Sequence, residues 1–188
     1  MRESTAFRHQ ARSDLEAART LGGAACPATL RAHVIAKSQQ SVEKIVKAAV
    51  IILTYAGIQI PGVAGRPTTN ALVPQRHKVN PYASAITLLT AGQQRRAHPP
   101  AILALAKVFN ADLHVIAQLD ALAPAWPQPP ALHPRNTEYP FEDAANDWTP
   151  PCEQKVFTAK ETKWFLDAAT RILEGVDRIV ESLELMYL

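Results

Sequence analysis

The chain has 188 residues, a length that predicts one domain with a substantial core. It is 47% hydrophobic but only 6% aromatic, so we expect aliphatic side chains in closely packed helices to build that core. Its net charge of +3 hides an asymmetry, because residues 1–108 hold 14 Lys and Arg against 4 Asp and Glu, whereas residues 109–188 hold 6 against 13. Two well-separated cysteines argue against a disulfide framework, and without a long apolar run or a leader we expect an unprocessed cytoplasmic protein with no membrane span.

Two helices are predicted in the first third of the chain. The first runs from about Ser4 to Leu21 and stops at Gly22-Gly23. The second runs from about Pro27, a residue favoured at a first helical position, to Gly57. Its apolar seam contains one amide, Gln39. The other members of the seam are Ala28, Ala32, Ile35, Val42, Val46, Ala49, Leu53 and Ala56.

Two further helices are predicted after a loop rich in Pro and Gly. Asn80-Pro81 is a good cap and first turn for the third helix, which we expect to end by His98 because Pro99 and Pro100 follow. The fourth helix covers about Ala101 to Leu122. Neither segment has the alternating pattern of a strand.

A long segment rich in proline, residues 124–157, separates the fourth helix from the last. It holds over half of the chain's 15 prolines, so we predict an extended loop and no helix. Its aromatic side chains, Trp126, Tyr139, Phe141 and Trp148, argue that the loop is ordered and not a free linker.

The last helix has the strongest sequence signal. Thr158-Ala159-Lys160-Glu161 is a capping box, in which the Thr hydroxyl accepts from the Glu161 amide while the Glu161 side chain reaches back. Apolar residues then recur at steps of three and four to the end of the chain. The predicted fold is therefore all-α, a single up-and-down helical bundle of about five helices over residues 1–188, with one long Pro-rich loop.

Three motifs in the chain resemble those of HEPN domains. The stretch Ser38–Ala48, SQQSVEKIVKA, resembles the family's A-Q-Q-A-x-E-K-x-x-K-A helix. Arg12–Ala18 resembles an earlier R-x-D-L-x-x-A, and Arg135–Pro140 resembles the family's R-Y-P stretch with an insertion. The resemblance implies a helical bundle that usually forms a homodimer and binds nucleotides or RNA. It also implies a possible nucleotidyltransferase partner in a toxin–antitoxin module.

Whether the chain is an enzyme stays open. Nuclease members of the family resemble one another in an Arg-x(4–6)-His motif. In this chain no His follows Arg135-Asn136 at that distance. A His also commonly precedes the Gln pair in the family, and Lys37 occupies that position here. A metal-independent ribonuclease is one alternative, and it would need His77 or His133 near an arginine as the acid–base catalyst. The other alternative is a non-catalytic dimeric interaction module.

Candidate ligand-binding residues are those that could contact phosphates or bases. Amines one helical turn apart can contact successive phosphates. The Arg76 region precedes a predicted helix N-terminus, which favours anions. An exposed Tyr can stack on a base. The candidates are Gln40, Lys44, Lys47, Arg76, His77, Arg135, Asn136 and Tyr139. No residue spacing predicts a metal site, and no cofactor is expected.

Structural alternatives exist for each of these features. The polar stripe on the second helix could be a solvated face, Gln39 a buried amide that fixes packing, and Tyr139 an anchor for the loop. The basic N-terminal part could meet nucleic-acid phosphates, or it could pack against the acidic part and be neutralised by it.

Overall fold

In the computed structural model, the described residues are 3–23, 26–58, 60, 78–89, 100–122, 141–142, 148–149 and 157–187. They confirm an all-α helical bundle. The described residues form five α-helices, which in chain order are α1 (Glu3–Leu21), α2 (Arg31–Tyr55), α3 (Asn80–Leu88), α4 (Pro100–Leu122) and α5 (Ala159–Tyr187).

Helix α1 is antiparallel to both of the long helices that it contacts, α2 and α5. The side chain of Ser41 on α2 donates to the carbonyl of Ala11 on α1, whereas Lys37, one turn earlier on α2, reaches Asp14, so these two helices are antiparallel. Helix α5 is antiparallel to α1, because Arg8 pairs with Glu184 whereas Arg19 pairs with Glu174. It is also antiparallel to α4, because Arg171 pairs with Asp112 whereas Gly175 lies against Val108. The core between the helices is mainly aliphatic. Its largest fully buried side chains are Leu15, Ile35, Ile45, Ile51, Ile52, Leu53, Ile86, Ile102, Leu105, Phe109, Ile116 and Leu119.

Helix α2 is the central element of the bundle. It contacts α1 and α5 extensively, and 18 of its 25 residues are buried. A short 3-10 turn, Ala28–Leu30, precedes it, so Pro27 begins this turn and not the α-helix itself. The predicted stop is confirmed, because the helix ends at Tyr55 and Gly57 adopts a φ of 75°, which glycine adopts without strain.

Helix α3 is shorter than its sequence predicted. It ends at Leu88, with Leu89 in a turn, and not near His98. The last turn tightens because the Leu89 amide bonds to Ile86 O, three residues back, and the Thr87 hydroxyl bonds to Ser84 O. Residues 90–99 lie outside the described part of the chain.

The capping box that begins α5 is confirmed. The Glu161 amide donates to Thr158 Oγ1 at 3.1 Å, and the Thr158 amide donates to Glu161 Oε2 at 2.9 Å. Every apolar residue predicted for the α5 seam from Phe165 to Leu183 is buried or half-buried, whereas Met186 is exposed.

The Pro-rich segment contains two short strands that its sequence did not predict. Phe141–Glu142 pairs antiparallel with Trp148–Thr149. A pair of two-residue strands is too short for a periodic pattern to indicate it. The remainder of residues 124–156 lies outside the described residues.

Among the described helices, α4 is long and apolar enough by length and composition to cross a membrane, a criterion that core helices also meet. Its apolar side chains pack within the bundle: Ile102, Leu105, Phe109 and Ile116 are fully buried. Over its most apolar window, 39% of the helix is buried within the structure.

Candidate functional site

The middle of α2 holds a group of polar side chains inside the core. Gln39 and Glu43 are each 2% exposed, and Lys47 is also 2% exposed. They follow one another at four-residue steps, so they lie one above the next on one face of the helix. Two small hydroxyls, Ser38 and Ser41, are buried beside them and bond to backbone carbonyls. We call Gln39, Glu43 and Lys47 the α2 polar triad.

Glu43 is the centre of the triad. The Lys47 Nζ donates to its Oε1 at 2.5 Å, and the Gln39 amide donates to its Oε2 at 3.4 Å. The half-buried Lys44 also approaches Oε1, at 3.4 Å. A carboxylate inside a core requires such partners, because an unpaired buried charge is strongly destabilising. The charge of Glu43 is therefore matched within α2 itself.

A second buried carboxylate, Asp120, comes from the last turn of α4. Its Oδ2 accepts from the Asn80 amide at 2.5 Å, so it caps the N-terminus of α3. The pKa of the Asp120 carboxyl is raised to about 6, chiefly by burial and to a smaller extent by the negative charge of Glu43. The backbone amides of Asn80 and Val79 and the charge of Lys78 act in the opposite direction. Shifted carboxyl groups of this kind are typical of both functional sites and structural networks.

The accessible edge of α2 lies beside the triad. His33 is exposed, and Lys37, Gln40 and Lys44 are half-buried. The Lys37 Nζ contacts Gln40 Oε1 at 2.8 Å and Asp14 Oδ1 at 3.2 Å, which links this edge to α1. We call His33, Lys37, Gln40 and Lys44 the α2 edge.

The structure separates the predicted ligand-binding residues of α2. Gln40 and Lys44 lie on the α2 edge, with the Lys44 side chain 25% exposed. Lys47 does not lie on this edge, because it is buried and its ammonium group is bonded to Glu43. The simple picture of one solvated stripe is therefore wrong for Lys47. The other predicted site residues lie outside the described part of the chain. They are Arg76, His77, Arg135, Asn136 and Tyr139.

Gln39 is the buried amide that its place in the apolar seam predicted. It is buried within a single chain, so its burial needs no partner subunit. Its amide donates to Glu43, one turn later on the same helix.

Sequence reasoning missed Asp120 altogether. The sequence feature that could have revealed it is an acidic residue in the last turn of an apolar helix. The negative end of the helix dipole disfavours a carboxylate at that position. Such a residue needs a compensating partner elsewhere, and here the partner is the N-terminus of α3.

Most of the basic side chains of α1 are held by acidic residues of α5. Five ion pairs join the two helices in the described part of the chain. Arg8 contributes three of them and is itself buried. The charge asymmetry between the two parts of the chain is therefore partly balanced inside the molecule, and the α1 arginines are poor candidates for binding phosphates.

The described residues contain no group of three or more His, Cys, Asp or Glu that could hold a metal ion. The histidines His9, His33 and His114 are exposed, and His114 lies against the Trp164 ring at a centroid distance of 6.3 Å. Neither His77 nor His133, the candidates for a catalytic acid–base, is in the described range.

Comparison of the chain with protein-family models, with curated proteins and with solved structures finds no match.

Proposed function

We propose that this protein is a HEPN-like helical domain that binds a nucleotide or RNA along the α2 edge. The observation that carries the proposal is the α2 polar triad. Gln39, Glu43 and Lys47 belong to the stretch that resembles the family, and they are buried side chains whose bonds fix the middle of the central helix. A rigid helix is a suitable support for ligand contacts made one turn apart.

Gln40 and Lys44 are the residues through which the triad's helix would contact a ligand. Both lie on the α2 edge, and Lys44 is close enough to Glu43 for that carboxylate to orient its amine at 3.4 Å. An amine in this position can bind a phosphate oxygen, and a carboxamide such as that of Gln40, whose Oε1 also accepts from Lys37, can hydrogen-bond a base or ribose.

The resemblance extends the proposal to the setting of the protein. It supports a cytoplasmic homodimer that works with a nucleotidyltransferase partner in a toxin–antitoxin module. A nucleotidyltransferase gene beside the gene for this protein would support that setting, and co-purification of the two products would test it directly.

Titration of fluorescently labelled ATP and of a short labelled single-stranded RNA, each at low and at high salt, tests the binding proposal. We expect binding at low salt that weakens as salt rises, because phosphate contacts release counterions. Lys44→Gln should weaken binding of the RNA and lower the magnitude of its salt slope by about 0.7, the loss expected for one phosphate contact on a single strand.

Lys107→Gln is the matched control, because Lys107 is an exposed lysine on α4, away from the α2 edge. Equal effects of the two substitutions, or no binding of either ligand at low salt, would contradict the proposal. The length of the RNA after incubation is read in the same samples, and cleavage would favour the ribonuclease alternative.

A further inference from the structure

A cleft opens at the end of the bundle where α1 stops and where α2 and α5 begin. Its volume is about 580 Å³, within the range of roughly 300–1,000 Å³ typical of small-molecule sites. We call it the end cleft. The lining residues that matter for its chemistry are Gly22, Cys26, Arg31, Lys163, Leu166 and Asp167.

Arg31 gives the end cleft its charge. Its Nη1 donates to the Phe157 carbonyl at 3.1 Å, which holds the guanidinium at the cleft wall. Its Nε is buried and has no hydrogen-bond partner among the described residues. A buried donor without a partner is unfavourable, and the planar guanidinium retains further N–H groups that can bind a carboxylate or phosphate side by side.

The other charges in the end cleft cancel. Lys163 Nζ lies 2.7 Å from Asp167 Oδ2, so these two residues form an ion pair at the rim. The N-terminus of α5 is capped by Thr158, which accepts from the Glu161 amide, so the positive character of the cleft does not depend on this helix end. One net positive charge, that of Arg31, therefore remains in the lining.

The floor of the end cleft is apolar. Leu166 lines it, and Gly22 packs so closely there that an added Cβ would lie 3.0 Å from Leu166 Cδ2. A cleft with one cation and an apolar floor is complementary to a molecule with one anionic group and an apolar body.

We propose that the end cleft binds a small organic anion, with its carboxylate or phosphate group paired to the Arg31 guanidinium and its apolar body against Leu166. The site is separate from Gln40 and Lys44, the two residues of the α2 edge proposed to contact a nucleotide or RNA. Arg31 and Lys44 are 13 positions apart on one helix, or about 20 Å along its axis. The proposal therefore stands independently of nucleotide or RNA binding at that edge.

Cys26 provides a direct measure of occupancy, because its half-buried thiol lines the end cleft. Cys152 is the other cysteine in the chain, so Cys152→Ser leaves Cys26 as the single thiol. The rate at which a thiol reagent labels Cys26 is measured in full-length protein with increasing benzoate, phenyl phosphate or the neutral analogue benzamide. We expect at least one of the two anions to slow labelling, and benzamide to leave the rate unchanged.

The two anions distinguish the source of the charged group, because protection by benzoate alone indicates carboxylate ligands and protection by phenyl phosphate alone indicates phosphate ligands. Arg31→Gln should raise the concentration needed for half-maximal protection about tenfold or more, as expected for loss of a charge-assisted pair. Circular dichroism of each variant checks that the bundle is folded.

Asp167→Asn gives a test that does not depend on Arg31→Gln folding, since Asp167 is an exposed residue. It removes a negative charge from the rim and releases Lys163, so the anion should protect Cys26 at a concentration about two- to threefold lower. Absence of protection by both anions, equal protection by benzamide, or unchanged protection in Asp167→Asn would overturn the proposal.

Lys44→Gln separates this proposal from the proposed function. It should leave protection of Cys26 unchanged, just as Arg31→Gln should leave the RNA titration unchanged. Failure of one proposal is thereby distinguished from failure of the other.

Discussion

Asp120 shows how one buried carboxyl group can make stability depend on pH. Its pKa is about 6 in the folded protein against an ordinary value of 3.8, because burial disfavours the charged form. The folded state therefore binds a proton more readily than the unfolded state does. The resulting stabilisation is fully present below about pH 4 and is lost as the pH rises through 6.

Asp120→Asn should remove this dependence, because the amide oxygen can still accept from the Asn80 amide but cannot ionise. We expect the free energy of unfolding of the variant, relative to the natural chain, to increase by about 2–2.5 kcal/mol between pH 4 and pH 7. Urea denaturation at several pH values measures this difference. A difference that is constant with pH would show that Asp120 does not have a raised pKa.

The Glu43–Lys47 pair makes a prediction of a different kind, because both of its members are buried. Lys47→Met removes the nearest cation of Glu43 but leaves Lys44 at 3.4 Å from the same oxygen. It should therefore lower the free energy of unfolding by about 1.5–3 kcal/mol, as for loss of a hydrogen bond to a charged group. Lys163→Met is the matched control, since Lys163 and Asp167 also form an i,i+4 pair but are exposed, and its loss should cost about 0–1 kcal/mol. Chemical denaturation of both variants at neutral pH measures the contrast, and similar losses would contradict it.

At the scale of helices, the close approach of α1, α2 and α5 depends on Gly22. A Cβ added there would lie 2.9 Å from Ala18 O, 3.0 Å from Leu166 Cδ2 and 3.2 Å from Val34 Cγ1. The first of these atoms belongs to the backbone and cannot move aside as a side chain can. Gly22 therefore serves packing as well as the end of α1.

Gly22→Ala should consequently lower the free energy of unfolding by about 1–3 kcal/mol, the usual cost of overpacking. Gly23→Ala is its neighbouring control, because a Cβ at Gly23 would have no atom within 4 Å. Its effect should be small, or slightly favourable through a stiffer unfolded chain. The midpoints of thermal unfolding for the two variants test the prediction, and it fails if Gly22→Ala is tolerated as well as Gly23→Ala.

The helices could be predicted where local signals were complete. Helix α5 has a capping box and a long apolar seam, and both are confirmed. The predicted end of α3 was wrong, because Pro99 and Pro100 mark only the latest point at which a helix must have stopped. Weaker local effects end this helix earlier. The candidate site was harder to predict, because a polar stripe in a sequence does not reveal which of its side chains face the core. Lys44 and Lys47 are both lysines, yet Lys47 is buried and Lys44 is half-buried.

For the molecule as a whole, the principal electrostatic feature is the α1–α5 interface. Arg8 is buried between Asp177 at 2.8 Å and Glu184 at 2.5 Å, and its Nη2 also lies 3.1 Å from Glu181. Burial lowers the pKa of the Arg8 guanidinium, but the three carboxylates outweigh that effect and raise the pKa above its ordinary value. The first and last helices of the bundle are thus joined by a charge network.

Arg8→Met should therefore destabilise the protein by about 3–5 kcal/mol, since it leaves Glu184 buried without its cation. Arg19→Met removes an exposed pair with Glu174 in the same interface, and its cost should be about 0–1 kcal/mol. Denaturation of both variants in urea gives the comparison. A small effect of Arg8→Met would mean that solvent replaces the arginine at little cost.

The same interface has a consequence for how the protein is made. Arg12 and Asp177 are 165 positions apart, so the arginines of α1 leave the ribosome long before their acidic partners are synthesised. At about 5–20 residues per second the interval is roughly 8–30 s. During that time the nascent chain carries an unbalanced positive charge next to ribosomal RNA, and α1 can complete its final contacts only when α5 emerges.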